Sequence, residues 1–219
     1  MVDSGLKTVG EAGWILARGS ALDGPFRELA ESLLSLPGGP VGSVVVTSPE
    51  PKVGRTSVCL GLAAALATAG HRAAVLDCNL DHPHLHRLFG KPNFTGLTNA
   101  VANGKSPGDY GFEVAPGLLV VPTGPVLPEA AARMESDRLV GAVRAFEASV
   151  DVVLLDGPVA GEVLDSPVLS GGFDGVILVV HATRTSKSAA RGATDDLLDA
   201  GVNLLGVVLN GSGQEMPEE

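Results

Sequence analysis

Uninterrupted apolar runs constrain the fold of this chain more than any other feature of its sequence. The runs "VVLL", "GVILVV" and "LLGVVL" contain no polar residue, whereas a strand with one face in water alternates apolar and polar positions. Segments of helical periodicity separate the runs, and the composition is 45% apolar but only 4% aromatic. This pattern predicts the α/β class, with a mostly parallel central sheet and helices on both of its faces.

The same pattern predicts the order of the elements. We expect strands at residues 43–47, 73–77, 118–121, 151–156, 174–180 and 204–209. We expect helices at residues 55–69, 129–147 and 186–200, and a shorter one within residues 25–36. The apolar residues of the short helix share one face, namely Phe26, Leu29, Leu33 and Leu34.

The chain length predicts a single domain. A chain of 219 residues can bury one substantial core, and we assign that domain to residues 23–211. Residues 1–22 show no clean periodicity and are expected to form an N-terminal arm. Residues 212–219 are expected to form an acidic, disordered tail.

Charge and hydropathy exclude several classes of function. The formal net charge of -10 repels phosphate, so binding to nucleic acid or directly to an anionic membrane is not expected. No apolar run approaches the roughly 20 residues that cross a bilayer, and the N-terminus lacks the features of a secretory signal. These observations predict a cytoplasmic location. Cys59 and Cys78 are too far apart in sequence for a metal or redox motif and are expected to be buried.

The segment "TSPEPKVGRTS", residues 47–57, has the length and setting of a phosphate-binding loop. Such a loop and the helix after it surround a phosphate with backbone N–H groups. The usual ending is Gly-Lys-Ser/Thr, and here it is Gly54-Arg55-Thr56. Thr56 retains the hydroxyl that reaches Mg²⁺, whereas the planar guanidinium of Arg55 does not replace the point charge of a lysine.

Two later strands end in carboxylates, Asp77 in "VLDCNLDHP" and Asp156 in "VVLLDGPVA". The carboxyl ends of parallel strands meet at one edge of the sheet, where ligands bind. Asp77 and Asp156 are therefore candidate Mg²⁺ ligands. Each of them alone is more readily interpreted as a turn or capping residue; the combination with the loop favours the metal.

Other charged residues near these strand ends allow more than one interpretation. His82, His84 and His86 match no common zinc spacing, so a metal site there is disfavoured. Lys52 is interpreted as a solvated loop lysine, with the alternative that it replaces the missing lysine. Arg184 and Lys187 are interpreted as part of a solvated helix start, with the alternative that one of them contacts nucleotide or a partner.

Several further motifs follow in a fixed order: "LDCNLDHPHLHRLFG", "FTGLTNAV", "VVPTGPVLPEA", "VDVVLLDGPVA", "FDGVILVVHATRTSKS" and "LGVVLNG". With them, the chain from about Phe26 to Asn210 resembles the cytoplasmic kinase domain of bacterial tyrosine kinases (BY-kinases), which are relatives of the partition and cell-division-site ATPases. The resemblance implies a P-loop NTPase fold of the deviant Walker type and a role in capsule or exopolysaccharide synthesis. It implies a membrane-embedded polysaccharide co-polymerase or export protein as the partner, through which alone the chain would associate with the membrane.

The resemblance also assigns site residues and cofactors. ATP or ADP with Mg²⁺ is the implied ligand, and Asn210 is expected near the adenine. The implied nucleotide-binding residues are Lys52, Gly54, Arg55, Thr56, Ser57 and Asn210. The implied metal ligands are Thr56, Asp77 and Asp156, and the implied catalytic residues are Asp77 and Arg55.

The sequence departs from the family pattern at several of these positions. Arg55 replaces the loop lysine, Lys52 a loop glycine, Val53 a loop glutamate and Asn79 the second residue of an acidic pair. The family's helix motif for ring assembly, E-x-x-R-x-x-R, reads Gly24, Arg27 and Ala30 here. The C-terminal tyrosine cluster is absent, and Tyr110 is the single tyrosine. We therefore expect weakened or lost kinase activity, weak or absent ATP·Mg²⁺ binding, and a monomer or dimer.

Three other functions are compatible with the sequence. The chain could be an active, atypical tyrosine kinase that acts on a partner. It could be a partition-like ATPase switch, although that subfamily has a lysine where this loop has Glu50. It could also be a structural adaptor that binds no nucleotide.

Overall fold

The computed structural model describes residues 23–37, 41–126, 136–164 and 172–212, together with the isolated residues 13 and 39. Most of the expected N-terminal arm and C-terminal tail lies outside these residues. The strands of the described part are β1 Ser43–Ser48, β2 Ala73–Asp77, β3 Phe112–Ala115, β4 Leu118–Val121, β5 Val152–Val159, β6 Gly175–His181 and β7 Leu204–Asn210.

These strands form one sheet in the order β3-β4-β2-β5-β1-β6-β7. Every neighbouring pair is parallel except β3 and β4, which are antiparallel at one edge. The predicted class, a mostly parallel α/β sheet, is confirmed. The sequence prediction missed β3, because four residues are too few for a clear periodicity.

Helices connect most of the strands. They are α1 Asp23–Leu34, α2 Arg55–Thr68, α3 Leu85–Leu88, α4 Leu97–Asn103, α5 Ser136–Glu147, α6 Ala160–Leu164 and α7 Lys187–Asp199, with a 3₁₀ turn at Pro107–Tyr110. The long helices were predicted to within a few residues at their described ends; the expected start at residue 129 lies outside the described part. No helix among the described residues is both long and apolar enough to cross a bilayer.

The apolar runs are continuous because successive side chains of the central strands pack into different cores. In β1, Val44 and Val46 belong to the core on the side of α2, whereas Val45 belongs to the core on the side of α5 and α7. β5 repeats this arrangement with Leu154 and Leu155. Burial on both faces is the environment that the sequence pattern predicts for a parallel sheet.

Two expectations about burial are wrong. The run "LLGVVL" predicts a strand that is buried on both faces, yet Val207 and Leu209 of β7 are 52% and 55% exposed. β7 is an edge strand, and an apolar run cannot distinguish an edge from a centre. Leu34 was expected on the buried face of α1 but is 38% exposed, and Ala30, which is 2% exposed, occupies that face instead.

A glycine lets α1 pack closely on α2. Gly61 lies inside α2, where glycine costs about 1 kcal/mol relative to alanine. A Cβ at this position would overlap the ring of Phe26 from α1. The contact between the two helices therefore depends on the missing side chain.

We expect the substitution Gly61→Ala to lower the free energy of unfolding by about 1–2 kcal/mol, because the clash with Phe26 outweighs the gain in helix propensity. Gly192→Ala in α7 is the matched control, since a Cβ there meets nothing within 4 Å; it should raise the free energy of unfolding by about 0.5–1 kcal/mol. Urea denaturation measures both. Equal stabilisation by the two substitutions would contradict the close packing of α1 on α2.

Candidate functional site

The loop between β1 and α2 borders a cleft of about 650 Å³ at the carboxyl edge of the sheet. One wall is formed by the loop and the start of α2, the other by the segment that follows β2. The lining residues are Pro51, Lys52, Gly54, Arg55, Thr56 and Ser57 on the first wall and Asn79, Asp81, His82, Pro83, His84 and Arg87 on the second. The loop residues that the resemblance implies for nucleotide binding, Lys52, Gly54, Arg55, Thr56 and Ser57, therefore lie at one cleft.

The loop needs a left-handed backbone at two positions. Gly54, directly before α2, has φ 93°, and a Cβ on it would overlap the side-chain amide of Asn210. Lys52 has φ 61° and is the one described non-glycine residue with a positive φ. This conformation favours glycine, the residue that the family pattern has at position 52, so the lysine imposes backbone strain on the loop.

Distant side chains hold the carbonyl groups of the loop. Arg184 Nη1 donates to the Lys52 carbonyl oxygen at 3.1 Å, and Asn210 Nδ2 donates to the Val53 carbonyl oxygen at 2.9 Å. The N–H groups of the first helical turn, by contrast, have no intrahelical acceptor. The geometry therefore leaves donors, rather than acceptors, for a ligand at the start of α2. Asn210 lies against the loop, and its expected contact with adenine stays a prediction.

Thr56 and Asp156 meet as the sequence predicts for a metal site. The Thr56 hydroxyl donates to Asp156 Oδ2 at 2.6 Å. Asp156 is 3% exposed and lies within β5, which continues to Val159 instead of ending at Asp156 as the sequence predicts. In proteins Mg²⁺ is commonly held by one or two carboxylates together with phosphate oxygens. The hydroxyl and carboxylate fit such an ion, with the remaining ligands coming from a nucleotide.

Asp77 lies beside Asp156 in the β2–β5 register, but its carboxylate accepts hydrogen bonds from nearby backbone N–H groups. Asp77 Oδ2 accepts hydrogen bonds from the N–H groups of His84 and Leu85 at 3.0 Å each. Oδ1 accepts another from the N–H of Asn79 at 3.2 Å. The capping interpretation of Asp77 therefore holds in this structure. Neither Asp77, which is 1% exposed, nor Asp156 is among the residues that line the cleft.

Burial sets the electrostatics of the two carboxyl groups. It raises the pKa of Asp156 to about 7, with a further rise from the charge of Asp77 and opposing effects of Thr56 and Arg55. Burial also raises the pKa of Asp77, against its three backbone hydrogen bonds. A divalent cation would favour the ionised form of both groups.

Arg55 and Lys52 differ in their surroundings. Lys52 has an exposed side chain. Arg55 is half-buried, and its Nη1 is shielded from solvent without a hydrogen-bond partner among the described residues. The charge of Arg55 lowers the pKa of Asp156, so the guanidinium lies within electrostatic range of the buried carboxylate.

The histidines after β2 do not cluster. His82 and His84 line the cleft, whereas His86 does not, and burial lowers its pKa. In the described ranges no group of three or more His, Cys, Asp or Glu side chains could hold a metal by itself.

Sequence reasoning overlooked Arg87 and the contact of Arg184 with the loop. Arg87 lies one helical turn after the cleft-lining His84, a spacing that could have indicated its position. The Arg184 contact joins residues 132 positions apart and leaves no local signal.

Asp156→Asn should make stability less dependent on pH. The folded-state pKa of Asp156 is about 7, whereas an unfolded aspartate titrates near pH 4. Its contribution to stability is therefore complete below about pH 4 and is lost as the pH rises to about 7. Asparagine does not ionise and so avoids this loss. We therefore expect the change in the free energy of unfolding that Asp156→Asn causes to be about 2–4 kcal/mol more favourable at pH 8 than at pH 4.

Urea denaturation in EDTA at both pH values measures this difference. Asp195→Asn, at an exposed position of α7, is the matched control and should have the same small effect at both. An equal effect of Asp156→Asn at pH 4 and pH 8 would show that ionisation of Asp156 in the folded protein does not lower its stability.

Comparison with known proteins places this geometry in a family. No family model matches the sequence. The "Putative tyrosine-protein kinase EpsB" of Ralstonia nicotianae is 33% identical over 168 residues, which make up 76% of this chain and 22% of that protein. The tyrosine-protein kinase CpsD of Streptococcus agalactiae is 28% identical over 169 residues, or 76% of this chain and 73% of CpsD.

The similarity extends to three-dimensional structure. The crystal structure of the chimerical protein CapA2B2 matches with a TM-score of 0.83 and 25% identity, covering 96% of both chains. The chain thus spans nearly the whole of that structure but only 22% of the length of the Ralstonia relative. The chain belongs to the bacterial tyrosine kinase (BY-kinase) family and has the mostly parallel α/β fold of the P-loop proteins.

Proposed function

We propose that this chain is a BY-kinase-type protein that binds ATP or ADP weakly and has reduced or lost tyrosine kinase activity. In this proposal it regulates capsule or exopolysaccharide synthesis or export through a membrane-embedded co-polymerase or export protein. It does so as a monomer or dimer, which light scattering distinguishes from a ring. The observation that carries nucleotide binding is the hydrogen bond to the buried Asp156 from Thr56, which lies two residues after the left-handed Gly54.

The described residues support separate roles in binding. The N–H groups at the start of α2 would bind phosphate oxygens, since a helix N-terminus attracts anions. Thr56 and Asp156 would hold Mg²⁺, which when bound neutralises charge on the phosphates. Asn210 would keep the loop in place through the Val53 carbonyl.

The same residues support weak catalysis. In a competent kinase of this type a carboxylate accepts the proton of the substrate hydroxyl. Asp77 is the candidate, but its carboxylate already accepts three backbone hydrogen bonds. Those bonds occupy both of its oxygens, so the backbone competes with a substrate hydroxyl for the carboxylate, although burial raises its pKa. Arg55 supplies charge to the phosphates in a shape that differs from lysine.

The position of Tyr110 does not favour phosphorylation within one molecule. Tyr110 accepts a hydrogen bond from Asn103 Nδ2 at 2.9 Å and directly precedes the edge strand β3. In the sheet order β3 is separated from β1, which leads into the loop, by β4, β2 and β5. A phosphoryl transfer to Tyr110 within one molecule would therefore have to cross much of the sheet.

We expect no phosphotyrosine when the purified chain is incubated with ATP and Mg²⁺, because Tyr110 is distant from the loop in the sheet order and the backbone engages both carboxylate oxygens of Asp77. Mass spectrometry detects the modification, and the tyrosine-protein kinase CpsD under the same conditions is the positive control. Substantial phosphorylation of Tyr110 that disappears in Asp156→Asn would contradict the loss of kinase activity and favour the atypical-kinase alternative.

The double substitution Lys52→Gly with Arg55→Lys should tighten ATP·Mg²⁺ binding at least tenfold, about 1.4 kcal/mol. Glycine removes the strain of φ 61° at position 52, and lysine restores a compact charge for the phosphates. Calorimetric titration measures the affinity. The single substitutions need not add, since both act on one loop.

Two further variants serve as controls for this test. Asp156→Ala in the double-substituted chain should reverse the gain, because the carboxylate acts through the metal. Lys105→Gly, outside the cleft, is the control and should leave the affinity unchanged. A double variant with no gain in affinity would count against the proposed nucleotide site and favour a nucleotide-free adaptor.

A further inference from the structure

Arg55 is the least exposed of the cationic side chains that line the cleft. Of the three Lys and Arg side chains there, Lys52 and Arg87 are exposed, whereas Arg55 is half-buried. Nη1 of Arg55 is shielded from solvent and has no hydrogen-bond partner in the described ranges. A shielded guanidinium N–H without an acceptor is costly, so this group is poised to receive an anion.

The guanidinium of Arg55 lies within electrostatic range of two buried groups. Its charge acts on the carboxyl of Asp156 and on the thiol of Cys59, one turn further along α2. The ion pairs within 4.0 Å in the described part involve only Arg72 and Arg144, so Arg55 influences Asp156 without being neutralised by it. The guanidinium therefore lies at the cleft within electrostatic range of Asp156, and its Nη1 keeps its donors without an acceptor among the described residues.

The oxygens that would hold a metal are partly engaged by the protein. Asp77 accepts three backbone hydrogen bonds on its two oxygens. Asp156 accepts the Thr56 hydroxyl on Oδ2. A Mg²⁺ ion would have the Thr56 hydroxyl oxygen and the remaining oxygen of Asp156 as its nearest protein ligands, beside a positive charge that repels it. The protein alone therefore supplies few ligands to a divalent ion, and most of them would have to come from the nucleotide and water.

We propose that Arg55 takes the charge-neutralising role of Mg²⁺ at this cleft, so that the chain binds nucleoside di- and triphosphates without a divalent cation. The guanidinium binds two phosphate oxygens at once through its fork of donors, while the start of α2 binds the same group through its N–H donors. The inference rests on the proposed nucleotide binding and specifies its metal dependence.

Calorimetric titration of the whole chain with ADP, in excess Mg²⁺ and in excess EDTA, tests the inference. The two dissociation constants should agree within about threefold for the unsubstituted chain. Arg55→Lys should make binding depend on the metal, with at least tenfold weaker affinity in EDTA than in Mg²⁺. Arg55→Gln, which removes the charge, should lose binding in EDTA. Arg138→Lys at an exposed position of α5 is the matched control and should behave like the unsubstituted chain.

The outcomes separate this inference from the proposed function. Binding of ADP by the unsubstituted chain that is more than tenfold weaker in EDTA would overturn the inference and leave nucleotide binding intact. Metal-independent binding that persists in folded Arg55→Gln would also overturn it, since Arg55 would then not be the neutralising group. No detectable binding in either condition would overturn both the inference and the proposed nucleotide site.

Discussion

One hydrogen bond, from the Thr56 hydroxyl to Asp156, joins the start of α2 to strand β5, and the geometry of the cleft depends on it. It forms because β1 and β5 are parallel neighbours in which Val46 lies beside Asp156. The chain leaves β1 two residues later and returns as α2 over the same edge. On its other side β5 pairs with β2, which places Asp77 beside Asp156. A slip of one residue in either pair would turn these side chains to opposite faces.

Charge balance at this edge connects the fold to the proposed function. Two buried carboxyl groups repel each other, and burial raises the pKa of both. The protein compensates with backbone N–H groups at Asp77, a hydroxyl at Asp156 and the charge of Arg55. Groups that are satisfied in this way can hold a phosphate near them, but they are less available for proton transfer. A binding site with weak catalysis is the function that this balance supports.

The sequence predicted the parts of the site that follow from regular structure. The end of β2, the start of α2 and the convergence of Thr56 with Asp156 follow from the apolar periodicity and from the geometry of parallel sheets. The end of β5 was predicted at Asp156 but lies at Val159. The sequence allowed a turn or capping role for Asp77 but did not predict which N–H groups its carboxylate accepts at the start of α3, because that contact depends on how a short segment folds back after β2. The contact of Asn210 with Val53, across 157 positions, depends on the loop conformation. The prediction that β7 is buried on both faces was wrong, because the position of β7 at the edge of the sheet depends on the whole strand order.

A crystal structure of the chain with ADP in the absence of divalent metal tests the central claim most directly. The account predicts the β-phosphate at the start of α2, within hydrogen-bonding distance (about 3 Å) of the N–H groups of Arg55 and Thr56 and of the Arg55 guanidinium. It also predicts that the hydrogen bond between Thr56 and Asp156 is retained. A nucleotide bound away from this loop, or a loop that closes over the start of α2 and leaves no room for a phosphate, would contradict the account.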